Sequence, residues 1–396
     1  MDTKIVKYGI LSLFCFAVAA CSDFLDTQQR GVTSLESFYN TDEEVQEGLY
    51  AIYDAVQGPT WTGRTTFQFT NLLSDDAHAA DGPRGNPDGE VIAEFRFDSN
   101  SNMIREMFDK YYRIAYKANV LISCIEPEDE LRKTAIAEAK ALRAYAYFEL
   151  VTLWGPVPLV THPLNPSEYA QPNTPVDEIW AQIEKDLTEA IADLPLKSQQ
   201  SLARKGNVSK GTAQAWLGKS YLYQKKYQAA AELDKVIASG EYGLHPVFSE
   251  VTRRVTEFGT ESLFEISYND NISNMGEATP VLAFCGPLSP WFKAGTSGIS
   301  EKAWGAYQAR QCLYDVFVKA GDVVRRKGTV INEEELINDF GGSYRDADGH
   351  LPGGSDGLIR IKYGSFVDET PGEHAHAVGG TNFRIMRYAD VLLMAA

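Results

Sequence analysis

Two short runs decide the fold: KGTAQAWLGKSYLY (210–223) and YQAAAELDKVIAS (227–239), joined by QKK. They read as two helices of one hairpin. Gly218 stands in the first helix, where the absence of a side chain lets a paired helix come close. Helix pairs of this kind cannot bury their apolar faces alone and must stack on neighbours. The rest of the chain is read for the helices that supply those neighbours.

The spacing Leu217-Gly218-x-x-Tyr221, followed by Ala230, resembles a tetratricopeptide repeat, with Gln214 where that repeat usually has Trp. Upstream lie four further helical patterns. In TDEEVQEGLYAIYDAV (41–56), Thr41 and Glu44 form a capping box, and Val45, Leu49, Ile52, Tyr53 and Val56 share one face. GPTWTGRTTFQF (58–69) breaks that helix, and DGPRGNPDGE (81–90) has the Pro, Gly and Asn density of a loop. The second helix runs through 102–125, with Ile104, Phe108, Tyr111, Ile114, Ala115, Ala118 and Leu121 as its stripe. The third, 129–155, is apolar on nearly every side past Leu142, which predicts burial on several faces. The fourth is NTPVDEIWAQIEKDLTEAIADL (173–194), with Thr174 as N-cap and Pro175 in its first turn.

From about residue 243 the texture changes. SLFEISYND (262–270) alternates as a strand. PVLAFCGPLSPWFKAGTSG (280–298) reads as a long irregular loop, and 301–318 as a helix carrying Trp304, Tyr307, Tyr314 and Phe317. Residues 341–380 hold ten Gly, and NFRIMRYADVLLMAA (382–396) starts a helix near the last residue. The expected fold class is mainly α: tetratricopeptide-like helix pairs packed against an irregular, loop-rich half with a few short strands. The expected division is 1–20, 21–240 and 241–396.

Net charge is −17 over 396 residues, with 44% hydrophobic content. That is a globular composition, and a surface this acidic repels nucleic-acid phosphates. At the start, Lys4 and Lys7 precede an apolar run, Ile10–Ala20, too short for a membrane span. Small residues then lead to Cys21, which is the pattern of a secretory signal. Val18-Ala19-Ala20-Cys21 resembles the lipobox of bacterial lipoproteins, which implies acylation of Cys21 and loss of residues 1–20. That cut removes one acidic and two basic side chains (Asp2, Lys4, Lys7), leaving −18. Cys124, Cys285 and Cys312 remain, too few and too scattered for a disulfide framework or a zinc site, and are expected as buried thiols.

Several stretches together resemble one family, the starch-utilisation-system D (SusD)/RagB outer-membrane lipoproteins of Bacteroidota. They are CSDFLDTQ (21–28), LLSDDA (72–77), AEAKALRAYAYFELVTLWGPVPLV (137–160), NVSKGTAQAWLGKSYLY (207–223), ESLFEISY (261–268) and NFRIMRYADVLLMAA (382–396). The resemblance implies a lipid-tethered cell-surface protein, with Asp23 and Asp26 resembling the family's surface-export signal. It implies a hinged lid on a TonB-dependent, SusC-like outer-membrane transporter that binds glycans, or in some members peptides, and does no catalysis. Members run on past the RYADVLLM motif, so the chain is expected to stop short of the last repeat pair.

A sugar site needs flat rings for pyranose faces and polar side chains for hydroxyls. Loop rings fit best: Trp61 in GPTWTGR and the Trp291-Phe292 pair in LSPWFKAG, with Trp304 as a further candidate. Arg64, Asp81, Arg84 and Asn86 are the loop polar residues placed to frame a sugar. In the family the loop after SDDA contributes to the site; here, 81–90, it has no aromatic residue, which keeps a peptide ligand open. Trp154, Trp180 and Trp216 fall on helices and are expected in the core. RDADGH (345–350) holds Asp346 and Asp348 in a fragment of a calcium loop that lacks the remaining ligands, so no cofactor is expected beyond a low chance of structural calcium. His374 and His376 lack a third ligand. Asp75 and Asp76 are adjacent, and adjacent residues in an extended stretch face opposite ways, which argues against a glycosidase pair. A surface hydrolase and a pure protein-binding scaffold are the remaining alternatives.

Overall fold

The computed structural model describes residues 38–58, 60–79, 87–271, 278–352, 355–370 and 378–396, with the side chains of 60–64 left out. The lipobox and Cys21 therefore lie outside the described residues. Helix α1, Asp42–Gln57, starts where the sequence predicts. The Glu44 N–H donates to the Thr41 hydroxyl (3.2 Å), and the Glu44 carboxylate accepts the Thr41 N–H in return (2.9 Å). Two of the first-turn donors that no helical carbonyl can reach are thus satisfied. Val45, Leu49, Ile52 and Val56 are buried, and the half-buried Tyr53 sends its hydroxyl to the buried Glu138 (2.6 Å).

The first correction follows at once. The stretch read as a break is helix α2, Thr60–Leu72. Gly and Thr are poor helix formers, but Phe67, Phe69 and Leu72 are all buried, and packing outweighs propensity of a few tenths of a kcal/mol per residue. Strand β1 (Ala77–Ala79) and helix α3 (Pro87–Ala93) follow.

Helices α4 (Asn102–Cys124) and α5 (Glu130–Trp154) carry the centre of the core. As its sequence predicts, α5 is enclosed on most sides from Ala135 to Val151. The stripe of α4 is turned slightly from the predicted one: Met103 and Met107 are buried, while Ile104 and Phe108 lie at its edge. Arg143 of α5 ties three elements together. Its guanidinium grips Asp186 of α6 (Val176–Asp193) through two bonds of 2.7 and 2.8 Å, and it also donates to Asn119 Oδ1 of α4 (2.8 Å) and the Thr161 carbonyl (3.0 Å). A buried pair with every guanidinium nitrogen engaged is the arrangement in which a buried charge is tolerated.

Pro175, not Thr174, is the N-cap of α6. The Thr174 hydroxyl instead accepts the Leu159 N–H (3.1 Å), and its backbone bridges Val157, so it fastens the 157–159 segment.

The hairpin forms as α7, Lys210–Tyr223, and α8, Gln228–Ala238. A Cβ on Gly218 would stand 2.7 Å from Leu233 Cγ, so the close approach does need glycine. The small residue facing it is the buried Ala229, one place before the Ala230 of the repeat pattern, which is exposed. Helices α4 to α8 each pack on the next, and α1 packs on α4 and α5.

The remainder consists of short elements. β2 (Ser262–Ile266) pairs antiparallel with β8 (Phe383–Arg387), and β1 with β4 (Tyr307–Ala309). β3 (Phe292–Lys293) pairs with β6 (Ser343–Tyr344), and β5 (Val330–Asn332) with β7 (Leu358–Arg360). Between them lie helices α9 (Val281–Cys285), α10 (Gln311–Ala320), α11 (Val323–Lys327) and α12 (Glu333–Phe340). Two readings change here. Part of the supposed loop is α9, and the supposed helix of 301–318 begins only at Gln311, because 307–309 is taken by the ladder to β1. NFRIMRYADVLLMAA likewise opens as strand β8 before turning into helix α13, Tyr388–Ala395.

The architecture is thus mainly α, stacked helix pairs against a half built of loops and two-stranded sheets. One large apolar cluster joins helices α1–α8 to β2, β8 and Tyr307. A smaller one, with Phe292, Ile299, Ile331, Leu336, Tyr344 and Ile359, holds the loop-rich half. Cys285 is buried and Cys124 half-buried, but Cys312, expected inside, is exposed and donates its thiol to the Asp75 carbonyl (3.0 Å). Among the described residues, no helix is long and apolar enough to cross a membrane.

Candidate binding site

Strand β3 positions the site. Its register sets Phe292 opposite Tyr344 and Lys293 opposite Ser343. Phe292 has no exposed surface, its ring edge-on to Tyr344 at 5.9 Å. It is therefore a core residue, and its candidacy for ligand contact is withdrawn: a ring with no free face cannot stack on a sugar. Trp291, preceded by a cis Ser289-Pro290 bond, packs on the same cluster but is only half-buried.

The indole of Trp291 lies beside Asp346, whose carboxyl lies below the usual carboxylate range. The largest cause is the His350 N–H, with the Asp348 N–H, the His350 ring and the Trp291 indole adding to it. The loop around Asp346 is firmly knit. Arg345 forks onto Glu333 (2.8 and 2.6 Å) and reaches the Gly349 carbonyl (2.8 Å). Asp346 Oδ1 accepts the N–H groups of Asp348 (3.0 Å) and His350 (2.8 Å), and Gly349 turns the chain at φ +85°. The result is a half-exposed aromatic plate bordered by carboxylates, an imidazole and Lys293. Chemically it can take a flat apolar ligand face and offer hydrogen-bond partners beside it.

Trp304 comes to a neighbouring segment. It is not on a helix: its backbone N–H donates to the Ala283 carbonyl (2.6 Å), while the Ser289 N–H donates to that of Ala303 (3.1 Å). Its half-buried ring stands edge-on to Phe284 at 4.7 Å. Trp61 and Arg64 fall within α2, rather than on a loop, and their side chains are not described. Asp81, Arg84 and Asn86 lie outside the described residues, as do His374 and His376. Trp180 and Trp216 are buried, as expected of helix positions, and Trp154 is half-buried against Phe108.

Sequence reasoning placed the polar partners upstream and missed the loop 345–350. Its signal, RDADGH, was visible, but was weighed only as a calcium fragment. Asp346, Asp348 and His350 do gather their ligand atoms within 4.8 Å of one another. Two carboxylates and an imidazole fall well short of the six to eight oxygens that calcium takes, and Asp346 is already engaged by backbone donors. Asp75 and Asp76 have exposed side chains, and their carbonyls accept from Cys312 and Arg310, so they serve the β1–β4 junction. Two cavities, of about 580 and 480 Å³, lie elsewhere, and Trp291 lines neither. The plate is a surface feature.

With this geometry in view, comparison with known proteins is informative. A family profile described as SusD-like, starch-binding associating with outer membrane, matches residues 23–222. A SusD-like protein of Formosa agariphila is 25% identical over 99% of this chain and 76% of its own length. One of Bacteroides ovatus is 24% identical over 98% of this chain and 71% of its own. Among solved structures, a laminarin-binding SusD-like protein superposes with a TM-score of 0.78 at 27% identity, covering 90% of this chain and 80% of that one. A surface glycan-binding protein of Bacteroides thetaiotaomicron, solved with laminarihexaose, shares the fold at a TM-score of 0.72 and 21% identity, over 89% and 78% of the two chains. The two solved structures are described as binding proteins. The capped first helix, the stacked pairs and the profile match agree: the chain belongs to the SusD-like family.

Proposed function

We propose that this protein is a cell-surface glycan-binding lipoprotein that captures oligosaccharide on the Trp291 plate and passes it to a TonB-dependent outer-membrane transporter. The observation that carries the reading is the half-exposed indole beside Asp346, on a fold shared with a laminarin-binding protein. Trp304 is the second ring of the proposed site. Trp61, Arg64, Asp81, Arg84 and Asn86 are proposed as further ligand contacts. Acylation of Cys21 tethers the body to the outer membrane. The protein binds and does not cleave.

Calorimetry against laminarihexaose and a panel of polysaccharides tests the glycan assignment. Binding is expected to at least one, with affinity falling about tenfold in Trp291→Ala, the size of a lost stacking contact with its buried area. No binding to any glycan, with tight binding to peptides, would sink the assignment. Release of reducing sugar by the pure protein would replace binding with hydrolysis. Labelling with a palmitate analogue tests the tether: the tag is expected in the wild type and absent in Cys21→Ala.

A further inference from the structure

The cavity of about 480 Å³ lies between α2 and the loop-rich half, with Phe67, Phe248 and Phe317 among its walls. Its volume is that of a ligand pocket. Exposed Asp76 and Arg325 are among its lining residues, so it opens to solvent. The protein is strongly acidic, at −17, yet this cavity collects three cations, Arg325, Arg360 and Lys362, against the single carboxylate of Asp76.

The three cations differ in how they are neutralised. Arg325 is already paired, its guanidinium on Asp322. Among the described residues, Arg360 has only neutral partners. Its Nε donates to the Lys362 carbonyl (2.9 Å), its other arm to Asn71 Oδ1 (2.9 Å), and its plane lies 5.0 Å from the centre of the Phe67 ring. Lys362 has less. Its backbone finds partners, the N–H in the Thr329 carbonyl and the carbonyl in Arg360, but among the described residues its ammonium makes no hydrogen bond or ion pair. Burial, and then Arg387 and Arg360, lower its pKa to about 8. The carboxylates that act back on it are held elsewhere: Asp390 accepts the Arg387 N–H, and Glu261 accepts the Arg387 side chain and the His245 N–H.

Largely buried cations are normally paired, because an uncompensated charge in low dielectric is costly. Two such groups lining one open cavity, without a carboxylate on either, form a site complementary to an oxyanion. We propose that Arg360 and Lys362 bind the carboxylate or sulfate group of an acidic sugar, whose ring lies against Phe248 and Phe317. The sugar part rests on the glycan reading above; the oxyanion contact stands on the two cations alone.

The test is calorimetry of the full chain with trigalacturonate, galactose 6-sulfate, inorganic sulfate and laminarihexaose, on wild type, Lys362→Met and Arg360→Gln. At least one acidic sugar is expected to bind, more weakly as salt rises. Its affinity is expected to fall about tenfold or more in each variant, the scale of one charge-assisted hydrogen bond. Which acidic sugar binds distinguishes carboxylate from sulfate. Laminarihexaose binding reports folding of the variants and the state of the Trp291 plate. Failure of both acidic sugars to bind, or binding indifferent to Lys362→Met, overturns the proposal. Inorganic sulfate that matches the sugars in affinity reduces the site to a bare anion hole and overturns its assignment to sugar. Neutral glycans binding while no acidic sugar does would leave the glycan reading intact without this site; the reverse would leave the site and remove the plate.

Discussion

At the scale of single residues, Lys362 makes its own prediction, separate from any ligand. A lysine whose folded pKa is about 8, against about 10.5 unfolded, opposes folding wherever the unfolded chain still holds the proton. The penalty is fully present below pH 8 and gone above about 10.5. Lys362→Met, which keeps the apolar stem, is therefore expected to raise Tm at pH 7 by about 1–3 °C. The gain should narrow as pH rises from 8 to 10.5. Thermal melts at several pH values check this, and a gain that does not change with pH would contradict it. Trp291 and Phe292 show why single residues were hard to read in advance. Phe292 opens strand β3 and turns inward, while Trp291, in the turn just before it, keeps a half-exposed ring. The residue that decides this is Tyr344, more than fifty positions away, and its register is invisible in the local sequence. Cys312 and the loop 345–350 were obscure for the same reason: their roles depend on distant partners, the Asp75 carbonyl and the Trp291 indole.

At the scale of elements, whatever was local was legible. The box at Thr41 and Glu44 needs four consecutive residues and appears as written. The α7–α8 hairpin carried its period and its glycine in plain view. Gly218→Val is expected to destabilise the protein by about 1–3 kcal/mol, because the new side chain must displace Leu233 at 2.7 Å, and this exceeds the small gain in helix propensity. Urea unfolding of the purified variant measures it, and an unchanged midpoint would mean that α8 can simply slide away. The misread elements share one physical cause. Helix α2 looks broken because Gly and Thr are poor formers in isolation, but Phe67 and Leu72 have a core waiting for them. The segment at Trp304 looks helical in isolation, yet β1 claims Tyr307–Ala309 as its ladder partner. Thr174 is a good cap by type and is used instead to hold Leu159.

At the scale of the molecule, the apolar helix α13 packs back onto the helical half. It lies on α8 and touches α7, with Val391 fully buried. Val391→Asp is expected to cost about 3–5 kcal/mol, the penalty of an unpaired carboxylate in the core. Guanidinium unfolding would show it, and a loss under 1 kcal/mol would mean that α13 is an ornament. The class of fold was legible because helix pairs announce themselves by period. The loop-rich half was not, because its order comes from ladders between strands far apart in the chain. Those ladders also set a timetable. Ser262 can meet its partner only when Arg387 has been made, and Ala77 waits for Ala309. Folding is slow where contacts are distant, since a large loop must close before any of them forms. The helices from α4 to α8 can assemble in order as the chain emerges, while the other half stays open until β8 has been made. For that interval the apolar face of β2 is uncovered, and this is the stage at which the chain most needs protection from aggregation.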